Sequence, residues 1–145
     1  MTQETSTLAF AAKASGTDLR LTARLNGHVF FDQVLSSEET KIQHTFSDSD
    51  GQKHTIEIEM SGKLPEHTIV DDQGNITEDR MIKISDVALD EIALVHLFTN
   101  NAKYYHDFNG SQQAVVDQFF GDMGCNGVVK FEFSSPAYIW MLENM

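Results

Sequence analysis

The stretch Asp18–Val34, "DLRLTARLNGHVFFDQV", decides the fold. Leu19, Leu21, Ala23 and Leu25 alternate with Asp18, Arg20, Thr22 and Arg24, the period-two pattern of a strand with one buried face. Asn26-Gly27 then supplies two residues that tolerate positive φ, as a two-residue type I′ hairpin turn requires. An unbroken register sets Leu25 opposite His28, Ala23 opposite Phe30, Leu21 opposite Asp32 and Leu19 opposite Val34. Asp32 is the single polar exception on that face.

A second hairpin is predicted next. Ile42, His44 and Phe46 alternate with polar neighbours, as do His54, Ile56, Ile58 and Met60, and "SDSDGQ" lies between them as a turn. Hairpins with one apolar face each need a second sheet to cover them. Residues 62–79 are polar, with Pro65, Asp71-Asp72 and Gly74, and read as a long loop carrying its own small hairpin around Gln73-Gly74. Ile82, Ile84 and Val87, then Leu89, Ile92 and Leu94, read as two core strands, with Asp90 an outward or turn residue. "KYYHDF" is a further strand.

In "NGSQQAVVDQFFGDMG", Ser111 can cap a helix that gathers Val115, Val116, Phe119 and Phe120 on one side and ends at Gly121 or Gly124. Val128, Val129, Phe131 and Phe133 form the last strand. The tail "SSPAYIWMLENM" fits a helix starting at Ser135-Pro136 or a strand through Tyr138-Ile139-Trp140. Seven or eight short strands at roughly ten-residue spacing predict an all-β, antiparallel sandwich of jelly-roll type, with one or two short helices near the C-terminus. Residues 1–145 are expected to form a single domain, with 1–5 as a flexible tail.

The 145 residues suffice for a sizeable core. Ten Lys+Arg against 22 Asp+Glu give a formal charge of −12, which repels phosphate backbones and anionic membranes and argues against nucleic-acid partners. No run approaches a membrane span. The start "MTQETSTLAF" lacks signal-peptide character, and the lone Cys125 cannot form an internal disulfide. Both suit synthesis in a reducing cytoplasm, and the sequons at Asn75 and Asn109 are then incidental.

Four groups of residues could carry chemistry. Asp48, Asp50, Gly51 and Glu57 match positions of a helix-flanked calcium loop, but its first position is Phe46 and strands flank it, so a turn is the better reading. His28, His44 and His54 fall on apolar faces, where a hydrogen-bonded imidazole is commoner than a metal ligand. Cys125, His106 and Asp107 hold the residue types of a thiol hydrolase, without a motif that positions them. Tyr104, Tyr105, Tyr138 and Trp140 could stack on sugar rings.

The hairpin "LRLTARLNGHVFFDQV", the strand "HTIEIEMSG" and the stretch "DRMIKISD" from Asp79 to Asp86 together resemble calcium-dependent, xylan-binding carbohydrate-binding modules. That resemblance implies a calcium ion held by Asp79 and, more weakly, Asp86, coordinating sugar hydroxyls. The segments "HDFNG", "GCNG" and "FSSPAYIWMLENM" look like small β-sandwich proteins of marine tailed phages, especially those of cyanobacteria. This second resemblance implies a non-enzymatic decoration or adhesion protein of the virion, bound to a protein lattice, to like subunits or to a surface glycan. The phage reading comes first, the calcium-assisted carbohydrate module is its alternative, and a small hydrolase is third. Tyr104, Tyr105 and Trp140 are the candidate ligand-binding residues.

Overall fold

The computed structural model of the chain describes residues 5–49, 51–63, 69–78, 80–106 and 113–144. Along the chain come β1 (Thr5–Ala14), β2 (Arg20–Leu25), β3 (His28–Val34), β4 (Thr40–Ser47) and β5 (Lys53–Ser61). The short β6 (Ile69–Val70) and β7 (Ile76–Glu78) precede β8 (Ile82–Leu89) and β9 (Ile92–Ala93). Helix α1 (Val95–Asn101), β10 (Lys103–His106), β11 (Val115–Gln118), β12 (Asp122–Met123), β13 (Gly127–Ser134) and helix α2 (Ala137–Asn144) complete it.

The strands form an antiparallel sandwich. One sheet has the order β12-β8-β1-β4, with β9 paired to β8, and the other β11-β10-β13-β5-β2-β3. Alternation along each strand sends Leu8, Phe10, Ile42, Ile82 and Ile84 from the first sheet against Leu21, Ala23, Ile56, Ile58 and Phe131 from the second. Burying each large side chain contributes about 1.5–3 kcal/mol before entropy is counted. The hairpin β6–β7 stands apart as its own two-stranded unit around the Gly74 turn, as the sequence predicts.

Several expectations are corrected. The Asn26-Gly27 turn forms, with φ of 52° and 84°, but the hairpin register slips. Leu25 pairs with His28 and Arg24 with Val29, yet Ala23 pairs with Phe31 and Thr22 with Asp32. Phe30 is therefore a bulge residue. The slip resolves the polar exception, because it carries Asp32 to the outer face, where its carboxylate accepts from Arg20 Nε at 2.6 Å and Thr22 Oγ1 at 2.9 Å.

The expected second hairpin is an inter-sheet crossing: β4 pairs with β1, whereas β5 pairs with β2 and β13. The helix expected after Ser111 is strand β11, an edge partner of β10; Ser111 itself lies outside the described residues. The strand expected through Ile92 and Leu94 is only two residues long and leads into α1. The tail resolves as helix α2, and Thr5 already belongs to β1.

Candidate functional site

Strand β10 is shorter than β13, and this mismatch builds a cleft. Lys103–His106 pair with Gly127–Lys130, so on that side residues 131–134 have no strand partner. Helices α1 and α2 bound the gap, which encloses about 630 Å³, within the usual range for small-ligand sites. Tyr105 and Trp140, two of the three predicted ligand-binding aromatics, both line it. Tyr105 points outward from β10 and is 38% exposed. Trp140 packs edge-on against Phe131 and Phe133, with ring centroids at 5.5 and 6.1 Å, so the core fixes its indole while part of it remains open.

Polar groups surround these rings. Asn101 Nδ2 donates to the Leu97 carbonyl at 2.7 Å and Asn144 Nδ2 to the Trp140 carbonyl at 2.8 Å. Each amide is thereby oriented with Oδ1 left as an acceptor for a ligand hydroxyl. Lys53, Lys103 and Lys130 supply donors and Glu132 a carboxylate. The Lys130 ammonium sits 5.1 Å from the Tyr105 ring centroid, a cation–π arrangement. No local pattern marks these lysines or amides, because they are gathered by strand pairing between distant segments.

Tyr104 belongs elsewhere. It is buried, donates its hydroxyl to the Cys125 carbonyl, and accepts from the Cys125 N–H at 3.1 Å. Burial pushes its phenol up to about 12. Tyr104 thus fastens the turn before β13. His106 Nε2 lies 2.7 Å from Asp117 Oδ2, and these two residues share a cavity of about 520 Å³ with Cys125. The acid beside His106 is therefore Asp117 of β11; Asp107 lies outside the described residues.

A Ser, a His and an Asp also meet, in an order that does not suit nucleophilic catalysis. Asn26 Oδ1 accepts from the Thr55 N–H at 2.9 Å, so its Nδ2 must donate to His54 Nδ1, 3.1 Å away. His54 then carries its proton on Nε2 and donates to Ser135 Oγ at 2.8 Å, while Ser135 donates to Asp48 Oδ1 at 2.5 Å. In a hydrolytic triad the imidazole takes the serine proton; here the proton relay runs the opposite way. Asp48 also accepts from Ser6 Oγ at 2.7 Å and from the Ala137 N–H at 3.1 Å. Burial raises its pKa, but these bonds outweigh that and hold it below the usual carboxylate range.

The predicted metal residues are dispersed. Asp79 and Asp50 lie outside the described residues. Asp86 is an exposed bulge residue of β8 with φ 56°: Ala9 faces Ala88 and Ala11 faces Ser85, so Phe10 opposes both Asp86 and Val87. Glu57 faces Arg24 and Lys130 on the outer side of β5, and Asp48 is committed to the buried network. Among the described residues, no three His, Cys, Asp or Glu side chains are grouped to hold a metal, and calcium needs six to eight oxygen ligands. The described side chains therefore do not by themselves fit the ion that the resemblance implies. Of the three histidines, His54 is buried, His44 stacks on Phe30 at 4.4 Å, and His28 is exposed at the hairpin end.

No protein-family model and no curated protein matches the chain. Among solved structures, the carbohydrate-binding module vCBM60 matches with a TM-score of 0.56 and 10% identity, over 87% of this chain and 89% of that one. That structure is described as part of an evolutionary link, by circular permutation, between two families of calcium-dependent carbohydrate-binding modules. vCBM60 in complex with galactobiose matches with a TM-score of 0.51 and 11% identity, over 86% and 96% of the two chains. At such identity the likeness is one of fold, the two-sheet sandwich. Neither match supports the phage-particle reading.

Proposed function

We propose that this chain is a non-catalytic carbohydrate-binding domain that takes a glycan in the cleft between β13, α1 and α2. The observation that carries the reading is the convergence of Tyr105 and Trp140 with two oriented amides on one open cleft. Flat apolar sugar faces pack on aromatic rings, and sugar hydroxyls need both donors and acceptors at the rim. The fold shared with vCBM60 adds support, because its structures include a galactobiose complex.

Trp140 is the sole tryptophan, so intrinsic fluorescence reports directly on the cleft. Titration with a panel of neutral and acidic oligosaccharides is expected to shift or quench that emission, and Tyr105→Ala to weaken the response at least tenfold. A flat titration across the panel overturns the reading. The resemblance implies calcium at Asp79 and Asp86, and the same titration in calcium and in EDTA tests that implication. Binding that persists in EDTA rests on the cleft alone, whereas binding lost in EDTA and in Asp79→Ala depends on an ion.

A further inference from the structure

Lys103 and Lys130 stand directly opposite one another in the β10–β13 ladder. Paired residues share a face, and like charges in that position are destabilising. The arrangement is conspicuous in a chain with only ten basic residues and a formal charge of −12. The three arginines each have a close anionic partner: Arg20 meets Asp32 at 2.6 Å, Arg24 meets Glu59 at 2.9 Å and Arg80 meets Asp18 at 3.2 Å. Lys103 has no ion pair among the described residues. Among the described residues, Lys130 reaches only Glu57, at 4.0 Å, and Arg24 shares that carboxylate at 3.8 Å. Lys53 lines the same cleft, so three lysines face it against one carboxylate, Glu132.

From this charge pattern we infer that the ligand is an anionic glycan, one bearing uronic carboxylates. A carboxylate between Lys103 and Lys130 relieves their mutual repulsion and anchors the pyranose beside Tyr105, whose ring already carries the Lys130 ammonium on one face. The acidic remainder of the surface repels a polyanion at long range. At about 0.15 M salt the screening length is about 8 Å, so the local lysines dominate once the ligand is seated. The inference rests on the carbohydrate-binding reading and narrows it to a substrate class.

The test compares tri-galacturonic acid with neutral galactotriose by calorimetry and Trp140 fluorescence, at about 0.05 M and 0.5 M salt. The acidic trimer is expected to bind at least tenfold more tightly at low salt and to lose most of that advantage at high salt. Lys103→Gln and Lys130→Gln each lower its affinity about tenfold, the scale of one hydrogen bond to a charged group, and lower that of the neutral trimer much less. Lys41→Gln, on β4 of the opposite sheet, changes neither. Without ligand, Lys103→Gln should raise the Tm, a readout that a purely structural lysine would move the other way. Equal or tighter binding of the neutral trimer overturns the charge inference and leaves carbohydrate binding standing. Failure of both trimers to bind, together with a flat response to the wider panel, removes both.

Discussion

Asn26 Nδ2 donates to His54 Nδ1 across 3.1 Å, and this bond sets the tautomer of the buried imidazole, with its proton on Nε2. Protonating Nδ1 would set two donors against each other. Burial pushes the His54 pKa below its ordinary value near 6.5, against an opposing pull from Asp48. The unfolded chain therefore binds a proton in a window where the folded chain does not, so stability rises with pH there. The denaturant midpoint should be flat above pH 7 and fall progressively below about pH 6.5. His54→Gln should be less stable at neutral pH but show a shallower slope. Part of the slope remains, since burial also lowers His44. A midpoint independent of pH from 7 to 5 would count against the assigned tautomer.

Asp48 binds β1, the β13–α2 junction and the start of α2 together through Ser6, Ser135 and Ala137. Asp48→Asn keeps the shape, but its amide NH₂ cannot accept the hydrogen bonds that one carboxylate oxygen now takes. Leaving buried donors unpaired should cost about 3 kcal/mol. The expected signature is a lower urea midpoint together with red-shifted Trp140 emission, because α2 loses its N-terminal acceptor. Unchanged stability would mean that water can replace the carboxylate.

What was legible in the sequence was local. Asn26-Gly27 announces its turn because two adjacent residues meet the dihedral requirement by themselves. The Phe30 bulge was not legible, because it depends on Asp32 reaching Arg20 and Thr22 across the hairpin. Val115, Val116, Phe119 and Phe120 suit a helical face, but their adjacent pairs suit a strand end equally. Pairing with Tyr105 and His106 of β10 decides for the strand, and that contact is tertiary. The site follows the same rule. Tyr105 and Trp140 could be named as aromatic candidates by residue type, whereas their convergence with Lys103, Lys130 and Asn101 depends on β10 ending short of β13.

The β8–β9 turn offers a stabilising change. Asp90 and Glu91 have φ of 51° and 68°, the left-handed pair of a two-residue hairpin. Asp90 is fixed there by accepting the Thr7 N–H at 2.8 Å, but Glu91 has no such hydrogen bond among the described residues and is exposed. Glu91→Gly should stabilise the fold by about 1 kcal/mol. Asp86→Val, a β-branched residue forced to the bulge φ of 56°, should destabilise by about 1–2 kcal/mol. Thermal melts of the two variants should therefore move in opposite directions.

Gly127 couples the fold to the cleft. A Cβ at that position would lie 2.5 Å from the Tyr105 carbonyl oxygen, 2.8 Å from Tyr104 Cε1 and 2.9 Å from His106 Cβ. The first of these is backbone, so Gly127→Ala must push β10 away from β13 instead of rotating a side chain aside. Overpacking of this kind costs about 1–3 kcal/mol. The same displacement moves Tyr105 and Lys103 relative to Lys130 and Trp140. Gly127→Ala should therefore lose glycan affinity at a temperature where it is still folded, with a weakened Trp140 fluorescence response. Gly74→Ala is the control: it introduces a different strain, a positive φ of 83°, and its Cβ meets nothing within 4 Å. It should lower stability slightly and leave binding intact. If the two variants lose affinity equally, general destabilisation explains the loss; if only Gly127→Ala does, the spacing of β10 from β13 sets the geometry of the site.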